Sequence, residues 1–370
     1  MEAIFKRIEQ QYNNELPFVL YRKPNKANVN VWFQNNNNLY FAKDFTEQGF
    51  VFAPFDNIDA SVLMPLKASE QLQISGLKTV NDNDVVVTNI TTSAKAKYNH
   101  INLIKKGLEA IKKDVFKKVV LSRKESVKLN DTHFITIFKR LLSKYSSAFV
   151  YCWYHPKVGL WLGATPETLI KIENSRISIM ALAGTQNYEG HLDVAWQNKE
   201  IQEQAYVTNF ITDSLKPWAE HIKVSETSTV KAGHLLHLRN LISAQLKSNF
   251  NLKHIISVLH PTPAVCGLPK QAAKTFILDN EAYNRAYYTG FLGEINLETQ
   301  LAPRSGKRNI EHSAYAFNKV STQLYVNLRC TQLKEKEALI YVGGGITESS
   351  NPEKEWEETV SKSLIIKRIL

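Results

Sequence analysis

The chain has 370 residues, 44% of them hydrophobic, enough to bury the core of one large domain or two average ones. Its formal charge is +11, from 46 Lys and Arg against 35 Asp and Glu, but the basic residues are scattered and accompany no recognised nucleic-acid module, which argues against that class of partner. Three widely spaced cysteines, Cys152, Cys266 and Cys330, exclude a disulfide framework and a zinc site; with no signal peptide and no apolar run of about 20 residues, a reducing cytoplasm is expected, with no membrane contact.

An amphipathic helical start at the N-terminus is followed, from Phe18 to about Val87, by short β-rich runs such as Val29–Phe33 and Leu39–Ala42, joined by polar turns that include Asn35 to Asn38. A helix over roughly Ala94–Lys113 buries Ile101, Ile104, Leu108 and Ile111, and the densest lysine cluster, Lys105 to Lys118, lies on or just beyond it. Strands are predicted at 118–121, 148–154, 159–162, 168–172 and 177–182, interrupted by a helix near 132–144. Helices near 194–218, 233–247 and 270–284 then precede a strand series from Tyr288 to Val342, and a final helix closes the chain. Adjacent strands with tight turns favour antiparallel pairing, and strand blocks alternating with helix blocks predict an α+β fold. No low-complexity linker or repeat divides the sequence. The reading is one domain over 1–370, with a β-rich part at 1–93 and a motif-bearing region at 94–370, although a boundary near residue 90 also fits the composition.

Two predicted helices carry carboxylates at i and i+3: Glu200 with Glu203, and Glu355 with Glu358. Each pair shares a helical face and repels unless something positive lies between its members, and all-oxygen ligation suits a hard cation such as magnesium. The alternative is a solvated helix face. Glu355 and Glu358 follow the strand-like run Ala338–Val342 and a glycine turn at Gly343, Gly344 and Gly345, with Asn351 as N-cap and Pro352 at the first helical position. Such a turn offers backbone amides to an anion; it lacks the Gly-Lys-Ser/Thr of a Walker loop and the third glycine of a dinucleotide fingerprint, so a carboxylate is as good a guest as a phosphate.

Strand alternation places Lys118, Val120 and Ser122 on one face and Val119, Leu121 and Arg123 on the other. A lysine on an apolar strand face loses hydration, which drives its pKa toward that of a general base; a strand-end lysine reaching solvent is the competing reading. Glu167 lies in a turn between two apolar strands, as a proton donor or an ordinary turn residue. The loop Leu259–Pro269 holds three prolines and a glycine and reads as rigid. His237 and His260 are ligands or bases, or satisfied structural histidines. No Glu-x-x-His and no Gly-x-Ser-x-Gly occurs, which removes the di-iron bundle and hydrolase-elbow readings.

Ten segments in order carry a family resemblance over roughly residues 95–368. They are Lys118-Val-Val-Leu-Ser-Arg123, Gly163-Ala-Thr-Pro-Glu167, Ala181-Leu-Ala-Gly-Thr185, Lys199-Glu-Ile-Gln-Glu203, His237-Leu238, the loop Leu259–Pro269, Arg285-Ala-Tyr-Tyr-Thr-Gly290, Asn327-Leu-Arg329, Gly343-Gly-Gly-Ile346, and Pro352-Glu-Lys-Glu-Trp-Glu-Glu-Thr359 with Lys362. Together they resemble the chorismate-utilising enzymes, and among the branches of that family the isochorismate synthases. The resemblance implies one large α+β fold, two antiparallel-rich sheets flanked by helices around a central cleft.

It also implies roles. Lys118 activates water for attack at C2 of chorismate, and Glu167 protonates the departing C4 hydroxyl. Glu203 and Glu358 bind Mg2+ directly, and Glu200 and Glu355 act largely through bound water. Tyr288, Arg329, the Gly345 amide and Lys362 bind the substrate's carboxylates, and Thr185, His237 and Thr262 complete the substrate-binding set. The implied product feeds menaquinone or siderophore synthesis, and the expected assembly is a monomer with no obligate protein partner. Amine-adding relatives such as anthranilate synthase carry glutamine where Lys118 stands, and aminodeoxychorismate synthases carry a lysine where Ala183 stands. Salicylate synthase, which goes on to eliminate pyruvate, shares the key residues and is the alternative within the family. A non-catalytic protein that keeps the anion site, or a basic RNA-associated protein, are the alternatives outside it. The chain departs from the family pattern at Gln204, often histidine, and at Ala286, usually glycine.

Overall fold

Every strand pairing among the described residues is antiparallel. The computed structural model describes residues 2–75, 93–129, 133–300 and 318–370. One sheet of nine strands runs in the order β15 (Gly267–Leu268), β7 (Lys118–Lys128), β19 (Glu337–Ile346), β18 (Cys330–Lys334), β9 (Gly159–Thr165), β8 (Phe149–His155), β1 (Phe18–Arg22), β2 (Val29–Gln34) and β6 (Ser69–Ile74). A second sheet of ten runs β12 (Ala219–Val224), β14 (Leu235–Leu246), β11 (Arg176–Asn187), β10 (Thr168–Glu173), β17 (Asn318–Val326), β16 (Phe291–Gln300), β4 (Gly49–Ala53), β5 (Val62–Pro65) and β3 (Tyr40–Phe41), with β13 (Ser228–Ala232) also on β14. Strands from residues 18–74 thus enter both sheets.

The two sheets pack face to face, and strand alternation decides which side chains meet there. Along β1, Val19 and Tyr21 join Trp32, Phe50, Phe52, Trp153, Trp161, Leu292 and Tyr325 in the core between the sheets, while Phe18 and Leu20 point outward. Ring pairs tie the two sheets together: Phe149 of β8 lies 4.0 Å from Tyr325 of β17, and Phe52 of β4 lies 4.8 Å from Trp153 of β8, centroid to centroid. Each such pair adds about 0.5–1.5 kcal/mol beyond area burial.

The outer faces are covered by helices. On the first sheet lie α1 (Glu2–Asn13), α3 (Phe134–Lys144) and the end of α7 (Pro352–Lys367); on the second lie α4 (Asn198–Leu215) and α5 (Leu252–Leu259). Helices α2 (Ala94–Lys112) and α6 (Lys270–Asn280) pack on Val119 and Leu121 of β7. The α+β architecture of two antiparallel sheets flanked by helices is the one anticipated from sequence.

Three local expectations are corrected. Residues 235–246 form the strand β14, not a helix: Leu238, Ile242, Ala244 and Leu246 alternate on a buried face, and pairing with β11 overrides the helical preference of a leucine-rich run. Gly343, Gly344 and Gly345 are not a turn but the end of β19, paired with Ser122, Leu121 and Val120. Helix α5 and strands β12 and β13 were not anticipated. The N-cap Asn351, which accepts from the amides of Glu353 and Lys354, and Pro352 at the start of α7 stand where the sequence placed them.

Ala286 has φ 51°, in the left-handed region that an L side chain resists by about 1–2 kcal/mol. Ala286→Gly relieves that strain at a smaller cost in unfolded-chain entropy, so urea denaturation should show a net gain of about 0.5–1 kcal/mol. A loss of stability would contradict this reading.

Candidate active site

Two of the places where the chain changes sheet are neighbours, and each of these crossings carries a predicted site residue. Pro166 and Glu167 connect β9 in the first sheet to β10 in the second; Asn327, Leu328 and Arg329 connect β17 in the second back to β18 in the first. The crossings are locked together: Val326 N–H donates to the Glu167 carbonyl and Ala164 N–H to the Arg329 carbonyl, both at 3.1 Å. Beside them opens a cleft of about 690 Å3, part of it open to solvent.

Eight sequence-predicted residues line this cleft: Glu167, Thr185, Glu203, His237, Tyr288, Arg329, Gly345 and Lys362. Val265, Leu328 and Tyr341, not singled out from sequence, line it with them. Thr262 does not. It is buried in the rigid loop, where its carbonyl accepts from Val265 and Cys266 and its hydroxyl has no partner.

Glu167 is 3% exposed, and burial raises its pKa to about 8 against the pull of Lys118, Arg329 and Lys362. It is therefore an uncharged acid at neutral pH. Burial and the charge of Arg329 hold His237 well below its usual value, so its ring is neutral. The Gly184 carbonyl, 2.7 Å from Nδ1, can only accept; Nδ1 therefore carries the proton and Nε2 accepts from Arg329 Nη2 at 2.6 Å. Arg329 Nη1 donates to the Ala232 carbonyl at 2.9 Å. Burial lowers its pKa to about 10, and among the described residues no carboxylate is ion-paired with it. A buried guanidinium with no carboxylate ion-paired to it, at the edge of a cleft, has the chemistry to receive an anion.

Lys118 lies just beneath the lining. Its side chain is fully buried, its Nζ is 2.9 Å from Glu203 Oε1, and the angle leaves the ammonium with no hydrogen bond of good geometry. The strand faces are as anticipated: Val120 lines the cleft, while Val119 and Leu121 join the helix-covered core. Gly345 lies directly over Lys118, since a Cβ there would stand 3.1 Å from Lys118 Cε. Strand β18 begins at Cys330, opposite Tyr341, so beyond that point β19 pairs only with β7 and its other backbone edge faces the cleft.

Glu200, Glu355 and Glu358 line a second cavity of about 1530 Å3, also partly open solvent, which shares Thr185 with the first. The positive partners anticipated for the carboxylates are lysines. Lys199 holds Glu355, Lys118 holds Glu203, and Lys362 Nζ donates to Glu358 Oε1 at 2.6 Å and to the Gly343 carbonyl at 3.0 Å. Glu200 instead accepts from the Gln197 amide at 3.1 Å in a capping box. Among the described residues no group of three or more His, Cys, Asp or Glu side chains is drawn together as a preformed metal cluster.

The donors nevertheless fit a hard cation. Burial, then the charge of Glu358, raises the Glu355 pKa to about 7, and Glu355 Oε2 is buried with no partner. A Cβ on Gly344 would lie 3.4 Å from Glu358 Oε1 and 3.5 Å from Glu355 Oε2, so both carboxylates face one point above a residue with no side chain. Burial pushes Glu203 up, but Lys118 and Lys199 outweigh it and hold it below the usual range. Lys199 is the residue that sequence reasoning passed over; its position one helical turn before Glu203 was the available signal.

Residues 49–309 match a family model described as a chorismate binding enzyme, and residues 314–368 match a second of the same description. The chain belongs to the chorismate-binding enzymes. It is 30% identical over 289 residues to isochorismate synthase 2 of Arabidopsis thaliana, covering 74% of this chain and 47% of the relative. It is 27% identical over 274 residues to isochorismate synthase MenF of Pasteurella multocida, covering 70% and 58%. The chain spans about half the length of the curated relatives it matches. The structure of MenF, the menaquinone-specific isochorismate synthase of Escherichia coli, superposes with a TM-score of 0.74 at 18% identity, over 96% of this chain and 88% of that one, which establishes a shared fold.

The raised pKa of Glu167 has a stability signature. Between pH about 4.5 and about 8 the folded chain keeps a proton that the unfolded chain has released, so stability falls as pH rises through that window. Glu167→Gln removes this contribution. Urea unfolding at pH 5 and pH 8.5 should show wild type losing roughly 3–5 kcal/mol relative to Glu167→Gln across the window. Parallel pH profiles would contradict the assignment.

Proposed function

We propose that the chain is an isochorismate synthase that converts chorismate to isochorismate with Mg2+. The observation that carries the reading is Glu167, an acid kept neutral by burial in a cleft that also offers an unpaired guanidinium and, beneath its floor, an ammonium. Glu167 stays protonated near pH 7 while Lys118, Arg329 and Lys362 lie close enough to oppose that protonation. Isomerising a hydroxylated ring needs an acid at the departing oxygen and a base at the arriving water, and two groups on different elements supply them.

In this reading Lys118, in its neutral amine form, takes the proton from a water that attacks C2 of the ring, and Glu167 gives its proton to the C4 hydroxyl as that bond breaks; proton return from Lys118 to Glu167 then resets the pair. One water enters and one leaves, so the product is an isomer of the substrate. Arg329, oriented through neutral His237 and the Ala232 carbonyl, binds the enolpyruvyl carboxylate. Lys362, Tyr288, Thr185 and the backbone of Gly345 hold the rest of the ring in place. Mg2+, held by Glu203, Glu355 and Glu358 with Glu200 nearby, would supply positive charge for the ring carboxylate. The net charge of +11 attracts the dianion from solution. The isochorismate formed would feed menaquinone or siderophore synthesis; the Escherichia coli neighbour of the same fold is described as menaquinone-specific.

Liquid chromatography after incubation with chorismate and Mg2+ tests the proposal. Wild type should form isochorismate, and Lys118→Ala and Glu167→Gln should each lower the rate by about 10²–10⁴-fold. Salicylate with pyruvate would place the chain in the salicylate-forming branch, and unchanged chorismate would overturn the proposal.

A further inference from the structure

Three carboxylates of the metal-binding helices meet three ammonium groups, and the three lysines are not equivalent. Lys118 and Lys362 sit at the substrate cleft, whereas Lys199 lines the second cavity, whose lining shares only Thr185 with that cleft. Its ammonium donates to Glu355 Oε1 and makes no other hydrogen bond among the described residues. Glu355 is 2% exposed, its second oxygen is buried without a donor, and Glu358 lies beside it. The Lys199 ammonium therefore already stands, as a cation, at the point where the carboxylates gather.

We infer that Lys199 is a resident counter-cation: it keeps the carboxylates gathered when no metal is bound and yields its place on Glu355 when a divalent cation arrives. The inference rests on the magnesium reading proposed above. Lys199 occupies Oε1 of Glu355 while Oε2 faces the point above Gly344, so an arriving divalent ion stands across the same buried carboxylate from the ammonium, and their repulsion drives the lysine aside. The second cavity, open to solvent, gives it room to do so. Lys199 is then a positioning residue that sets the metal concentration at which the site loads.

Titration calorimetry of the metal-free protein with Mg2+ alone, joined to thermal melts with and without Mg2+, tests this. In Lys199→Met the metal-free protein should melt lower, Mg2+ should bind about tenfold more tightly, and the rise in melting temperature on adding Mg2+ should grow. Lys199→Arg should behave as wild type. Lys354→Met, which removes a charge from the wall of the same cavity, should leave Mg2+ affinity within about threefold. If Lys199→Met does not fold, Lys199→Gln gives the same reading, since it keeps a donor for Glu355 without the charge. Unchanged or weaker Mg2+ binding on loss of Lys199, with wild type binding normally, overturns the inference alone. No Mg2+ binding by wild type overturns the magnesium reading and the inference together.

Discussion

The cleft depends on a three-residue stretch of strand that has no side chains. Gly343, Gly344 and Gly345 hold β19 in register with Ser122, Leu121 and Val120 of β7, and three groups crowd against them. A Cβ at Gly343 would stand 3.0 Å from the Tyr288 hydroxyl, one at Gly344 3.5 Å from Glu355, and one at Gly345 3.1 Å from Lys118 Cε. Only a bare backbone lets the α4 carboxylate, the α7 carboxylates and the β7 lysine converge while the ladder stays intact. Where β18 stops, the same backbone edge is free to face a ligand.

Charge completes what this close approach begins. Glu167 is neutral because it is buried, His237 is neutral because it is buried beside Arg329, and Arg329 is left without an anionic partner. The cleft is thus built for negative charge and for a proton donor in the same small space. Its walls are braced from behind by Arg285, whose Nη2 donates to Glu281 at 2.6 Å and to the Val120 carbonyl at 2.7 Å, and whose Nη1 reaches the Val265 carbonyl at 3.0 Å. Val120 and Val265 both line the cleft, so this buried pair holds β7 and the rigid loop at a set distance.

What was legible in the sequence was local. The i, i+3 spacing of Glu200 with Glu203 and Glu355 with Glu358, the Asn351 cap and the alternation along β7 are set by neighbours a few residues away, and all stand in the structure. What was not legible depends on distant partners. Residues 235–246 are strand because β11 lies beside them; the glycines are strand because β7 does. The sheet crossings at Glu167 and Arg329 are adjacent only because β9 pairs with β18 and β10 with β17. Lys199 was hidden for the same reason, since its partner Glu355 is 156 residues away. Thr262 belongs to a motif whose neighbours Ala264 and Val265 reach the cleft while it turns inward.

The central claim is that the cleft sets a water-activating base and a hydroxyl-protonating acid at different carbons of one ring. Turnover of chorismate in 18O-enriched water, with mass spectrometry of the isochorismate formed early in the reaction, tests it most directly. The account predicts one solvent oxygen in the product, at the C2 hydroxyl. Isochorismate that carries no label would mean the hydroxyl migrates within the substrate, and would contradict the roles given to Lys118 and Glu167.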